Sequence, residues 1–419
     1  MAIETNIQYA GSSPADWARH VATTQRKDLK KVSKEMLRSH QLTALIERDG
    51  GIETGLSGRN FSWPVQYKLH DDYANTGMQA RNFAPTAQHL TANLEWGGIE
   101  VTDSIREREV LENRGKEAIV RIVDTMHSRM KESIVQKFAP RLYDDGATTS
   151  HKIYGLDSMF GVSASATYYK AYDWGALGAV PSMTSIDATS GDPIMVNDDN
   201  YAGLDTDFGA YGGSQTSGAF PEGFCDEEAD FWTGPIFNSN STFFSGANIS
   251  AATGWQENAP EILRYAITHL RRNASAKKRM NLFVMNRTLL YQLKNQLLGG
   301  SANRPEVGLV SSENGLKRFG FSGTFEFDGI ECTEEYFVPN STTIINSTTY
   351  TDRPTCYGIA TGAMSFHSAY DDLFSVDPKS GEYDMHTQAY LYAIRMLGQL
   401  KLDGPRNFCK ISAYTAVSG

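Results

Sequence analysis

Hydrophobic and polar positions change period several times along this 419-residue chain, and the changes divide it into segments. Over residues 61–69 apolar side chains alternate with others (Phe61, Trp63, Val65, Tyr67, Leu69), the two-residue period of a strand. Residues 70–80 are polar and turn-rich. Residues 90–101 alternate again in part, through Leu94, Trp96, Ile99 and Val101, which predicts a returning second strand. From Ile119 the period lengthens. Ile122, Val123, Met126, Met130, Ile134 and Phe138 recur every three or four residues and form one apolar stripe on a helix. Ser104 and Glu107 have capping-box spacing, which predicts the start of the helical segment there. Pro140 predicts its end, because the residue before proline disfavours the α region. A helix over 115–139 would be about 37 Å long at the α-helical rise. A ribbon feeding one long helix encloses no core of its own, and a two-stranded ribbon alone is marginal in water. The pattern therefore predicts burial against copies of the same chain, an assembly subunit before an enzyme.

The flanking segments are less regular. Residues 27–44 have weak helical spacing (Leu29, Val32, Met36, Leu37) and abundant charge, and Gly50, Gly51, Gly55 and Gly58 suit tight turns. Residues 161–257 are rich in Gly, Ser, Thr, Asp and aromatics, which predicts turns and short strands, an insertion. Regular patterning resumes at Asn258. Asn258 and Glu261 repeat the capping-box spacing, Pro260 fits a first turn, and Ile262, Leu263, Ala266, Ile267 and Leu270 share one side. A buried strand is expected over 282–285, a helix over 289–298 capped by Asn286, and strands over 324–327, 343–345 and 357–360. Residues 390–402 are apolar, and periodicity alone does not separate strand from helix there.

Charge sharpens this division. The net charge is −10, yet residues 171–263 contain no Lys or Arg and 14 of the 49 acidic residues, so the rest carries 39 basic against 35 acidic groups. Residues 19–38 are the opposite extreme, with Arg19, Arg26, Lys27, Lys30, Lys31, Lys34 and Arg38 against Asp28 and Glu35. For any one charge a solvated face is the simpler reading. Together they suit a basic arm that finds an acidic neighbour. An acidic total argues against tight unspecific nucleic-acid binding. No apolar run is long enough for a membrane-spanning helix, and the N-terminus lacks the pattern of a secretory signal.

Motifs that carry chemistry are missing. There is no Walker loop, dinucleotide-binding turn, HExxH or nucleophile elbow, so no catalytic residue or cofactor is expected. Cys225, Cys332, Cys356 and Cys409 form no CxxC pair, which predicts reduced thiols rather than a disulfide framework or zinc site. Asp198, Asn200 and Gly203 echo the start of an EF-hand loop, but the acidic residue at its twelfth position is missing. A solvated acidic loop explains Asp198, Asp199, Asp205 and Asp207 better than a cation site, and no metal is expected.

The order of elements carries a family likeness. A basic arm precedes a long two-stranded loop. A charged helix ends at Phe138-Ala139-Pro140, and Tyr154-Gly155-Leu156 follows. Later come Leu282-Phe283-Val284-Met285-Asn286 and Phe325-Glu326-Phe327-Asp328-Gly329-Ile330, with Val338-Pro339-Asn340 after them. The apolar segment 390–402 closes on Gly404-Pro405-Arg406. This order resembles the major capsid proteins of tailed bacteriophages, the Hong Kong 97-type fold. The resemblance covers most of the chain; residues 160–255 match nothing in it.

The resemblance implies an α+β fold. It implies an N-terminal arm over 1–47, with Arg26, Lys27, Lys30, Lys31 and Lys34 as its basic groups, and an E-loop over 48–103. It implies a peripheral domain over 104–160 and 363–405, whose spine helix at about 115–139 carries Ile119, Ile122, Val123, Met126, Met130 and Ile134. The axial domain would hold 161–362 and 406–419, with the insertion at about 161–257. Trp63, Tyr67, Phe83 and Trp96 would anchor the E-loop on a neighbouring subunit, so Trp63→Ala is expected to impair shell formation while leaving the monomer folded. The implied function is a structural subunit forming hexamers and pentamers, and from them an icosahedral virion shell around double-stranded DNA held without sequence-specific contact. Assembly would take place in the host bacterial cytoplasm, with portal and decoration proteins as further partners and no membrane. Only 47 residues precede the E-loop, so a separate scaffolding protein is expected. Some members cross-link an E-loop lysine to an asparagine in the peripheral tip loop. Lys68 fits the first role, but 375–388 holds no asparagine, and no covalent cross-link is expected. Two other readings stand beside this one: an encapsulin-like compartment shell, which shares the fold, and an acidic β-rich ligand-binding protein or enzyme with its site in 171–263.

Overall fold

A computed structural model describes residues 40–49, 51–66, 89–112, 116–147, 149–160, 194–195, 200–205, 232, 234–238, 254–271, 278–298, 325–338, 341–345, 348–377 and 380–412. The fold is α+β, built on two sheets.

The described chain opens with helix α1 (Gln41–Arg48), which buries Leu42, Leu45 and Ile46. Strand β1 (Ile52–Glu53) leads to a separate antiparallel hairpin, β2 (Asn60–Gln66) and β3 (His89–Glu95), paired from Asn60↔Glu95 to Gln66↔His89. After Trp96 the chain enters β4 (Gly97–Arg106), then the short α2 (Glu107–Glu112) and the long α3 (Lys116–Arg141). One tight helical turn at Leu156–Met159 follows. Short strands β5 (Ile194–Met195), β6 (Asn200–Tyr201), β7 (Leu204–Asp205) and β8 (Ile236–Asn238) precede helix α4 (Gly254–Arg271). Next come β9 (Leu282–Met285), helix α5 (Arg287–Leu298), β10 (Phe325–Phe327), β11 (Ile330–Glu334), β12 (Ser341–Ile345), β13 (Thr348–Arg353) and β14 (Thr355–Ile359). The chain closes with β15 (Met364–Ser368), β16 (Ser375–Val376), β17 (Glu382–Asp384), the 14-residue β18 (Ala389–Leu402) and β19 (Cys409–Ser412).

Strand β18 is the axis of the first sheet. One edge pairs with β4 from Gly398↔Gly97 to Ala389↔Arg106. The other pairs in succession with β15, β16 and β17, and β1 adds in parallel to β15. Helix α3 lies on one face of this sheet, against β4 and β18. Its stripe Met126, Met130, Ile134 and Phe138 is buried, and the Phe138 ring meets Phe366 edge-on at 5.2 Å. The second sheet runs β10-β11-β9-β14-β19-β8-β5. Helices α4 and α5 cover one face through Ile262, Leu263, Ala266, Leu289 and Leu293, against Phe283, Met285, Cys332, Cys356 and Cys409. The alternate residues Leu282, Val284, Tyr357 and Ile359 face the other way and join the core of the first sheet. Period-two alternation thus lets one sheet serve two cores.

Several sequence expectations change. Ser104 does not start a helix: it lies in β4 opposite Leu391, and α2 begins at Glu107. A long ladder with β18 outweighs the local capping signal. Residues 90–101 are not one strand but parts of β3 and β4, in different sheets either side of Trp96. Pro140 lies inside α3, one residue before its end. Helix α4 starts at Gly254, so Pro260 sits beyond the first turn. Residues 390–402 are strand, because β4 and β15 satisfy both edges.

Ile134 is fully buried between α3 and the first sheet, whereas Glu132 on the same helix is exposed. Ile134→Ala is expected to cost about 2–5 kcal/mol, and Glu132→Ala to stay within about 0.5 kcal/mol, measured by urea denaturation.

Candidate assembly interface

The hairpin has two unlike faces. Phe61, Trp63 and Val65 on β2 share one face with Leu90, Ala92 and Leu94 on β3; Trp63, Val65, Ala92 and Leu94 are buried and Phe61 and Leu90 half-buried. The opposite face, Asn60, Ser62, Pro64, Gln66, His89, Thr91, Asn93 and Glu95, is exposed throughout. It is polar but nearly uncharged, and its carboxylate, Glu95, is paired with Lys152. That pairing holds Glu95 below and Lys152 above their ordinary pKa values.

Trp63 occupies a different place from the one expected. It is 5% exposed within its own chain. Its ring lies 6.3 Å from Tyr201, on β6, and 5.1 Å from Phe61, with the Lys401 ammonium 5.7 Å from its centroid. Residues 200–204, distant in sequence, supply this cover, and Asn93 N–H donates to the Ala202 carbonyl at 2.8 Å. Trp63 is therefore an internal anchor of the hairpin and not a side chain offered to a neighbour. Trp96 is half-buried at the hairpin root, where its indole N–H donates to the Gly58 carbonyl at 3.0 Å. Tyr67, Phe83 and the basic residues Arg26, Lys27, Lys30, Lys31 and Lys34 lie outside the described residues. Ile119, Ile122 and Val123 belong to α3 with side chains outside the description; Met126, Met130 and Ile134 face its own sheet.

One buried amide ties the root together. Gln399 on β18 is fully buried. Its Nε2 donates to the carbonyls of Lys152, at 2.6 Å, and of Glu95, the last residue of β3, while its Oε1 accepts from Tyr154 N–H at 3.1 Å. The three strands of contact draw the hairpin, the loop after α3 and the first sheet to one point. Gly97 makes the approach possible, since a Cβ there would lie 2.3 Å from the Lys152 carbonyl oxygen.

A second buried tie joins the two sheets. Lys410 on β19 has a side chain 4% exposed, and its Nζ lies 2.6 Å from Asp157 Oδ1. Tyr357 on β14 donates to the same oxygen at 3.0 Å. Burial, followed by the Asp157 charge, pushes the Tyr357 phenol well above its ordinary value. The cysteines Cys332, Cys356 and Cys409 are buried and free, and burial pushes the Cys409 thiol up to about 12, so it stays protonated.

The first sheet leaves its other face open. Gly98↔Leu397, Glu100↔Arg395, Thr102↔Ala393 and Ser104↔Leu391 stand opposite one another on the side away from α3, all half-buried or exposed. Arg395 bridges Glu100 at 3.0 Å and Asp377 at 2.5 Å, so one cation offsets part of the charge of two carboxylates and leaves this face a small net negative charge. At its far end Met385 is 81% exposed and Leu391 42%. A cleft of about 390 Å³ opens on the helix side, lined by Asp103, Ser104, Ile105, Glu109, Thr125, Met126 and Arg129. Among the described residues no His, Cys, Asp and Glu cluster fits a metal ion, and no helix is long and apolar enough to cross a membrane. Asp198, Asp199 and Asp207 lie outside them.

Gln399, Lys410, Asp157 and Tyr201 escaped the sequence reading. A signal existed for two: Gln399 interrupts an apolar strand and Lys410 sits between Cys409 and Ile411. A polar residue inside an apolar strand has to find a buried partner.

No family model matches the sequence, and no curated protein does. Solved structures similar to this chain include the cyanophage A-1(L) capsid asymmetric unit, at 12% identity and TM-score 0.49, covering 90% of this chain and 94% of that one. The capsid of a native GTA particle is similar at 11% identity and TM-score 0.46, covering 89% and 90%. The capsid of cyanophage P-SCSP1u is similar at 12% identity and TM-score 0.44, covering 87% and 86%.

Trp63→Ala is expected to destabilise the chain itself by about 3–5 kcal/mol, seen as a lower midpoint in chemical denaturation. Gln399→Leu strands the Glu95 and Lys152 carbonyls and is expected to cost about 1–3 kcal/mol for each, with hydrogen exchange accelerated in 89–97.

Proposed function

We propose that this chain is the major capsid protein of a tailed bacteriophage. It is a structural subunit that assembles through hexamers and pentamers into an icosahedral shell around double-stranded DNA. The observation that carries this reading is the pair of open, nearly neutral faces: the outer face of the hairpin and the face of the first sheet turned away from α3. Charges on a solvated ribbon keep it from sticking to other chains; among the described residues the outer face of this one carries a single carboxylate, Glu95, already paired with Lys152. A neutral polar face desolvates at lower cost than a charged one and still supplies hydrogen bonds to a partner.

On this reading the hairpin is the E-loop, α3 the spine helix, and the first sheet the peripheral domain. The second sheet with α4 and α5 belongs to the axial domain around the capsomer centre. The E-loop of one subunit lies across the open sheet face of the next, and the basic arm reaches an adjacent capsomer. Each contact can be weak, because every subunit makes many and linked contacts reinforce one another. A separate scaffolding protein guides closure, portal and decoration proteins complete the particle, and assembly takes place in the host bacterial cytoplasm.

Electron microscopy of the purified chain, with and without a co-expressed scaffolding protein, tests the reading. Closed shells or capsomer rings are expected, and monomers under every condition would overturn it. Ser62→Glu combined with Thr91→Glu places charge on the hairpin's outer face. This variant is expected to abolish shells while each substitution changes monomer stability by no more than about 0.5 kcal/mol. Normal shells from it would remove the hairpin from the interface.

A further inference from the structure

The hairpin leaves the first sheet through two narrow connections. On one side β3 passes into β4 through Trp96 alone. On the other, residues 54–59 join β1 to β2 and include Gly55 at φ 78° and Gly58 at φ 139°, conformations that side chains disfavour. Both connections suit a pivot.

His367 sits where that pivot meets the sheet. It lies on β15, opposite Gln399 on β18, and is 4% exposed. Its ring centroid is 4.5 Å from that of Phe61, the second residue of β2, with the planes 31° apart. Nε2 is 2.8 Å from Ser365 Oγ on its own strand. Nδ1 is 3.2 Å from Glu53 Oε2 on β1, off the axis of a hydrogen bond. Lys401 on β18 is the other charged group acting on the ring. An ionisable ring is thus enclosed between the sheet and the hairpin, against an aromatic side chain of the hairpin.

We propose that His367 is a proton-operated latch on the hairpin: with the ring neutral the hairpin root is seated on the first sheet, and with the ring charged the root is released. A charged imidazole loses hydration in this enclosure. Burial is the largest influence on the ring and holds it below its ordinary 6.5; Glu53 opposes burial and Lys401 adds to it. Glu53 is 61% exposed, so water screens its compensating charge. The released root returns the ring to water, where it binds a proton more readily. Linkage then gives the sign: seating is at full strength above about pH 6.5 and weakens as pH falls below it, because the released form takes up more protons.

The latch goes beyond the capsid reading and does not rest on it, since it belongs to a single chain. Hydrogen–deuterium exchange of the full chain at pH 7.5 and 5.5, with exchange times scaled for the chemical rate, reads it directly. Peptides covering 60–66 and 89–95 are expected to lose protection about threefold or more at pH 5.5, while 389–402 holds. His367→Phe keeps a ring against Phe61 without a titrating group and is expected to abolish the difference. Glu53→Gln removes the opposing charge and is expected to enlarge it. Equal wild-type protection at both pH values overturns the latch. So does a full pH response in His367→Phe, or, should that variant not fold, a response in Glu53→Gln no larger than the wild type. Failure to form shells in the microscope would leave this result untouched.

Discussion

A single buried amide, that of Gln399, fixes how the projecting hairpin meets the body of the molecule. Two of its hydrogen bonds go to backbone carbonyls from different segments, Glu95 and Lys152, and a third comes from Tyr154 N–H. Burying a polar side chain is unfavourable unless its groups are satisfied, and here both the donor and the acceptor end are used. The geometry that satisfies Gln399 is therefore also the geometry that sets the root. Gly97 and the ten-residue β4 then carry that position along β18 into the sheet.

The second constraint acts between the sheets. Lys410 and Asp157 meet where the cores join, with Tyr357 sharing the carboxylate. Such a pair gains little net stability over apolar groups of the same shape, because both charges give up hydration. What it adds is direction: only one relative placement of β14, β19 and the turn at Leu156–Met159 brings all three groups together. Orientation between sheets is thereby held by polar geometry, and adhesion by Leu282, Val284, Tyr357 and Ile359.

The same kind of internal tie accounts for the aromatic residues of the hairpin. Of the four aromatics expected as interface anchors, the two among the described residues make contacts within the chain, Trp63 against Tyr201 and Trp96 to Gly58, as does their neighbour Phe61 against His367. On the described hairpin, what remains outward is polar and extended, with Glu95 as its one carboxylate. The hairpin is thus held by its own chain, through Trp63, Trp96 and the Asn93–Ala202 hydrogen bond.

The sequence by itself determined the local periods. The alternation over 61–65, the stripe Met126, Met130, Ile134 and Phe138, and the buried strand at Leu282–Met285 follow from spacing, and the element order carried the family likeness. Local signals failed wherever a distant strand competed. Ser104 reads as a helix cap, yet pairing with Leu391 makes it strand; 390–402 reads both ways until β4 and β15 claim its edges. The use of each aromatic could not be read either, because Tyr201, which covers Trp63, lies well over a hundred residues away and has no period linking it to the hairpin. Only the tertiary structure decided which apolar faces were covered from within and which stayed open. Burial depends on contacts between segments remote in sequence, whereas a sequence period reports only the shape a segment would take on its own.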